Sequence, residues 1–154
     1  MTTNTLQLSV PHSSEFQLLL TCTPDDNVSG IINVHIRCRF LHPGGHFEYD
    51  SAGLVFAIEP FLHFAEALAH IRQGNNSPAQ LQDVGKQFLF EIKPSDTIRR
   101  LVDVKLEAKE YVPSMAEAVS GAFTTKLDYD LYVNKLYDSL LTFNRDLQTM
   151  ASLD

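Results

Sequence analysis

Apolar and polar residues alternate first in "EFQLLLTCT", where Phe16, Leu18, Leu20 and Cys22 fall on one side. A period of two marks a half-buried strand. The turn-forming run "TPDDNVSG" (Thr23 to Gly30) ends it. The clearest strand follows in "IINVHIRCRF": Ile32, Val34, Ile36, Cys38 and Phe40 face one way, and Asn33, His35, Arg37 and Arg39 the other. Beyond "LHPGGH", Phe47 and Tyr49 restart the alternation, and Leu54, Phe56 and Ile58 continue it one residue out of step. That slip predicts a bulge near Ser51 to Gly53. Pro43-Gly44-Gly45, between two strong strand signals, is expected to form a hairpin loop.

The period then changes. "EPFLHFAEALAHIRQG" places Phe61, Phe64, Leu68 and Ile71 on one helical stripe, with Pro60 at the start and Gly74 at the stop. After a polar loop, "QFLFEIK" alternates again and "PSDT" turns. "LVDVKLEAK" then puts Val102, Val104, Leu106 and Ala108 inward, and "VSGAFTTKL" supplies a last strand through Val119, Phe123 and Leu127. A second, longer helix is expected behind Asp128 as its cap, with the seam Tyr129, Val133, Leu136, Leu140, Phe143, Leu147 and Met150.

Six short strands joined largely by hairpins, with two helices, predict an α+β fold. In it an antiparallel sheet of about six strands is packed on one face by two helices, the longer at the C-terminus. The length suits a single domain over residues 1–154, with 1–14 loosely held. No internal repeat or low-complexity block is evident in the sequence.

Charge narrows the classes of partner. The chain carries 12 Lys and Arg against 19 Asp and Glu, a net charge of −7. Phosphate-rich surfaces demand clustered cations, so nucleic acid and anionic membrane are not expected as partners, whereas a basic protein is. No apolar run approaches the ~20 residues of a membrane helix. "MTTNTLQLSV" has neither a basic nor a continuous apolar leader region, so the expected compartment is the cytoplasm, with Cys22 and Cys38 reduced.

Candidate chemistry is sparse. His42 and His46 flank the hairpin loop, and His63, Glu66 and His70 share the polar face of the first helix. Zinc needs three or four converging ligands, and both sets fall short, so no metal or other cofactor is expected. No Gly-x-Ser-x-Gly elbow and no Gly-rich phosphate loop occur. The charged strand faces stand out more. Arg37 and Arg39 precede the hairpin, and Glu48 and Asp50 follow it on the same outer face. Asp103, Lys105, Glu107 and Lys109 alternate in sign along a later strand. Cross-strand ion pairs on a wet sheet face account for both patterns, and a polar protein-binding face is the functional alternative.

A charged-faced hairpin, an amphipathic helix ending in Gly, "FLFEIK", a charge-alternating strand and a final "FTTKLDYDLYVNKLYDSLLTF" together resemble the WapI-type immunity proteins of bacterial polymorphic toxin systems. The resemblance spans about Ile31 to Phe143. It is strongest in "LVFAIEPFLHFAEALAHI" and in Asp128 to Leu141, and it departs from the family in lacking any Trp. It implies a non-catalytic cytoplasmic protein that binds and neutralises a cognate toxin. Taken with the charge, the expected partner is a basic protein such as a toxin domain, met by acidic surface that includes Glu48 and Asp50. Two alternatives stand beside this reading. One is a small-molecule-binding domain with a Tyr- and Phe-lined pocket between the sheet and the C-terminal helix. The other is an enzyme whose residues converge from dispersed segments.

Overall fold

The fold is seen in a computed structural model that describes residues 5–11, 13, 15–25, 30–42, 45–96, 98–112 and 117–151. The element order is β1 (Leu6–Val10), β2 (Phe16–Pro24), β3 (Ile31–His42), β4 (Gly45–Ala57), α1 (Glu59–Arg72), β5 (Ala79–Gln82), β6 (Phe88–Asp96), β7 (Leu101–Val112) and β8 (Glu117–Asp128). A π-helical turn (Asp130–Lys135) then runs into α2 (Leu136–Ala151). The class is α+β as expected, but the strands form two antiparallel sheets of four, β1-β2-β3-β4 and β5-β6-β7-β8, rather than one sheet of about six.

The correction has a simple origin. The extra strands, β1 and β5, are only five and four residues long and carry Gln and Ser between their apolar positions. Such short polar strands give almost no periodic signal. Yet each opens a sheet: Leu8 and Val10 are buried in β1, as are Ala79 and Leu81 in β5. Part of the first fourteen residues, expected to be loose, is therefore paired with β2 from Leu6 to Val10.

Four strands followed by a helix occur twice. The first set of strands begins at Leu6, Phe16, Ile31 and Gly45, and the second at Ala79, Phe88, Leu101 and Glu117. The chain thus holds a structural repeat that its sequence does not display. Each helix also packs beside the opening strand of the other unit, α1 against β5 and α2 against β1. One edge strand of each sheet, β5 and β1, thus has a helix beside it.

Alternation gives each sheet one dry face, and the two dry faces share one core. Phe16 of β2 stacks on Phe90 of β6 with centroids 6.1 Å apart, and Phe40 of β3 stacks on Phe123 of β8 at 4.3 Å. The helices close the remaining side through Phe61 and Phe143, 5.3 Å apart. There the buried Asn144 donates from Nδ2 to the Phe61 carbonyl at 3.1 Å. The expected stripes of both helices are buried: Phe61, Phe64, Leu68 and Ile71 in α1, and Leu136, Leu140, Phe143, Leu147 and Met150 in α2.

Asp128 is the last residue of β8 and not a helix cap; the helical segment starts two residues later with no side-chain cap. The wider π turn brings Tyr132 and Val133 both inside, although they are neighbours in sequence. Pro94, expected to turn, instead lies within β6. It sits beyond the last residue paired with β5, where a missing N–H leaves no ladder bond unmade, and the register slips just after it. At Gly121, where β8 meets β4, a Cβ would lie 2.6 Å from the Phe47 ring, so the close approach of the sheets requires glycine. Among the described residues, no helix is long and apolar enough to cross a membrane.

Candidate functional site

The outer face of the first sheet carries the densest ordered arrangement of charge. Antiparallel register sets Arg37 opposite Asp50 and Arg39 opposite Glu48, with Leu19 and Gln17 of β2 beside them and Ser9 of β1 beyond Leu19. The expected cross-strand pairs form: Arg37 Nε lies 3.3 Å from Asp50 Oδ2, and Arg39 Nε lies 3.7 Å from Glu48 Oε1. A third partner joins them, as His35 Nε2 meets Asp50 Oδ1 at 2.5 Å.

That histidine contact follows from the bulge. Register runs from Ile36–Ser51 to Val34–Leu54, leaving Ala52 and Gly53 as surplus opposite His35. With no residue directly across from it, His35 reaches along β4 to Asp50. The sequence displayed the bulge and the outward histidine separately, but nothing in it joined them.

All five side chains remain well exposed, from 39% for His35 to 66% for Arg37. Solvent therefore screens the pairs, and they orient the face more than they stabilise it. The His35 hydrogen bond, followed by the Arg37 guanidinium, holds the Asp50 carboxyl below the usual carboxylate range. Asp50 is thus ionised at any pH at which the chain would meet a partner. A groove of about 600 Å³ runs over Gln17, Leu19, Arg37, Arg39, Glu48 and Asp50. Glu48 and Asp50, the acidic residues expected to contact a partner, lie together within it. They do not form an acidic patch, because two arginines are interleaved with them.

The second sheet repeats the motif less fully. Lys126 Nζ bonds Asp103 Oδ1 at 3.0 Å and Ser95 Oγ at 2.5 Å, and Lys105 pairs with Glu107 at 2.8 Å along the same strand. These pairs use the alternation seen in "DVKLEAK".

The other candidates are dispersed. His63, Glu66 and His70 all lie exposed on α1, and the side chain of His42 is outside the described residues. Among the described residues, no group of three or more His, Cys, Asp or Glu comes together. Cys22 and Cys38 are buried, and burial pushes each thiol up to about 12, which keeps it protonated and unreactive. Between the sheets and α2, where a Tyr- and Phe-lined pocket was the alternative, stand Tyr132, Leu136, Leu140 and Phe143, all buried. Burial raises the Tyr132 phenol above its ordinary range, and Ser13 beside it works the other way. The buried carboxylate of Asp83 is structural: its Oδ1 accepts from the Gln87 and Phe88 amides at 2.7 and 2.9 Å, fastening the β5–β6 turn.

Comparison with known protein families, curated proteins and solved structures gives no match to this chain.

Proposed function

We propose that this chain is a non-catalytic binding protein that docks a basic protein partner on the grooved outer face of its first sheet. In the cytoplasm it acts as an immunity protein, neutralising a cognate toxin domain. The observation that carries this reading is the groove over β2, β3 and β4. Its charged side chains are fixed in a cross-strand lattice above a fully packed core. A preorganised polar surface on a rigid sheet loses little entropy when a partner binds.

Charge acts at two ranges. The two acids and two arginines of the groove cancel, so the net −7 of the chain arises outside it. That distributed charge steers a basic partner from a distance, and the alternating pairs then set register and specificity on contact. The WapI-type resemblance adds the identity of the partner, a toxin domain whose own substrate obliges it to be basic.

Co-expression tests the reading. The probe is the C-terminal domain of whatever protein the adjacent upstream coding region specifies, produced with and without this chain. Restored growth and a stoichiometric complex are the expected results. A toxin domain that still kills, and that does not bind the purified chain, ends the immunity reading.

A further inference from the structure

A second groove, remote in composition from the first, lies where the end of α1, the β6–β7 hairpin and the π turn converge. Its volume is about 590 Å³, and its lining includes Arg72, Asn75, Ser95, Arg100, Tyr129 and Asn134. Among the described residues no carboxylate lines it, although the chain carries 19 acidic residues.

Both arginines are held in an unusual way for an acidic protein. The Arg72 guanidinium lies over the Tyr137 ring at 4.9 Å, and that of Arg100 over the Tyr129 ring at 5.2 Å. Neither makes an ion pair with any described residue. Stacking fixes the plane of a guanidinium while leaving its N–H edge open to a bidentate acceptor. Asn134 donates from Nδ2 to Asp130 Oδ1 at 3.1 Å, which engages the carboxylate of this turn.

The backbone points the same way. Arg100 directly precedes β7 at φ 55°, and Gly30 directly precedes β3 at φ 80°. The two positions correspond in the repeated units. The first unit uses the residue that adopts this conformation freely, whereas the second holds a long cation there against the steric preference of an L-residue. The Arg100 carbonyl also accepts from the Tyr129 amide at 2.9 Å, locking the loop to the ring that carries its guanidinium. Strain retained beside a groove is intelligible if the side chain has work to do in it.

We propose that this groove binds a small phosphate monoester, with Arg72 and Arg100 gripping the phosphoryl dianion and the Asn75, Ser95 and Asn134 side chains contacting the remainder of the ligand. Two guanidinium groups match the two charges of such a group, and the volume falls within the range of small-molecule sites. The site is distinct from the protein-docking face and does not depend on the immunity reading.

Calorimetric titration of the full chain tests the site with adenosine 5′-monophosphate, inorganic phosphate and adenosine. The monophosphate is expected to bind and adenosine to show no heat. Inorganic phosphate binding as tightly as the monophosphate would identify the phosphoryl group as the whole determinant, which also supports the site. Arg72→Gln and Arg100→Gln should each weaken binding at least about tenfold. Arg145→Gln, on the exposed face of α2, should leave it unchanged. Arg100→Gly keeps the loop conformation and removes only the side chain, so it separates loss of binding from loss of fold. Failure of both phosphate probes to bind wild type at millimolar concentration, or equal binding by the Arg72 and Arg100 variants, overturns the proposal.

Discussion

Leu140 and Leu141 are adjacent in α2, yet the fold assigns them opposite fates. Leu140 is fully buried beneath the sheets, and Leu141 is 49% exposed. Truncating Leu140 to Ala removes three carbons from a core position on the same helical seam as Leu136 and Phe143, which are themselves nearly or wholly buried. The loss combines transfer free energy with the cost of a cavity, and such changes run to about 2–5 kcal/mol. The upper half of that range is expected, because aromatic stacks on either side of the seam resist collapse into the hole. Leu141→Ala gives up contacts that are already half solvated and should cost under about 1 kcal/mol. Urea unfolding followed by circular dichroism reads both variants, with an unchanged slope certifying that the midpoint shift reports stability. Equal losses from the two variants, or a larger loss from Leu141→Ala, would mean that the phase of α2 is wrong and that the shared core it closes is misdescribed.

Other outcomes follow from single features. Asp83→Ala removes a buried carboxylate that holds two short backbone hydrogen bonds across the β5–β6 turn. It should destabilise the protein by about 2–3 kcal/mol in the same assay, with Asp83→Asn costing less. Gly121→Ala drives a methyl group into the Phe47 ring and should cost about 1–3 kcal/mol, while Gly53→Ala, with open space around it, should not. The thiols of Cys22 and Cys38 are raised to about 12 by burial, so the folded chain retains protons that the unfolded chain releases near its ordinary value. Their contribution is complete below about pH 9 and is lost as pH rises toward 12, so the denaturation midpoint should fall over that window. Replacing both residues with Ala or Val should flatten this decline.

The long, strongly alternating strands were legible because each buries one face only. Phe16 to Cys22, Ile32 to Phe40 and Val102 to Ala108 show their buried side in the alternation alone. The bulge at Ser51 to Gly53 was legible too, as a break in phase. The edge strands were not, because four or five residues with Gln and Ser at alternate positions look like loop. Without β1 and β5, two four-stranded sheets read as a single sheet of six. The repeat was hidden for a related reason: a core accepts different apolar residues at matching positions, as with Cys38 and Ala108 at inward sites of β3 and β7. Of the candidate docking face, Arg37, Arg39, Glu48 and Asp50 were visible as a pattern. The contribution of β1, the reach of His35 and the groove depend on strand pairing and bulge geometry, which no spacing rule reports. The stacked arginines of the second groove were invisible in sequence, because Arg72 and Tyr137 come together only when the helices pack.

Association kinetics probe the outer face of the first sheet as a docking surface. Glu48→Lys combined with Asp50→Lys leaves Arg37 and Arg39 in place and converts a charge-balanced groove into one bearing four cations. All the altered side chains are exposed, so the fold should persist, and circular dichroism would confirm it. Rates of binding to the candidate partner domain of the co-expression test, measured for wild type and the double variant at low and high salt, then decide the matter. Wild type is expected to associate faster at low salt, and the variant to associate more slowly with a flatter salt dependence. Association that is independent of salt and indifferent to the double reversal would contradict this expectation, and would remove this face as the docking surface.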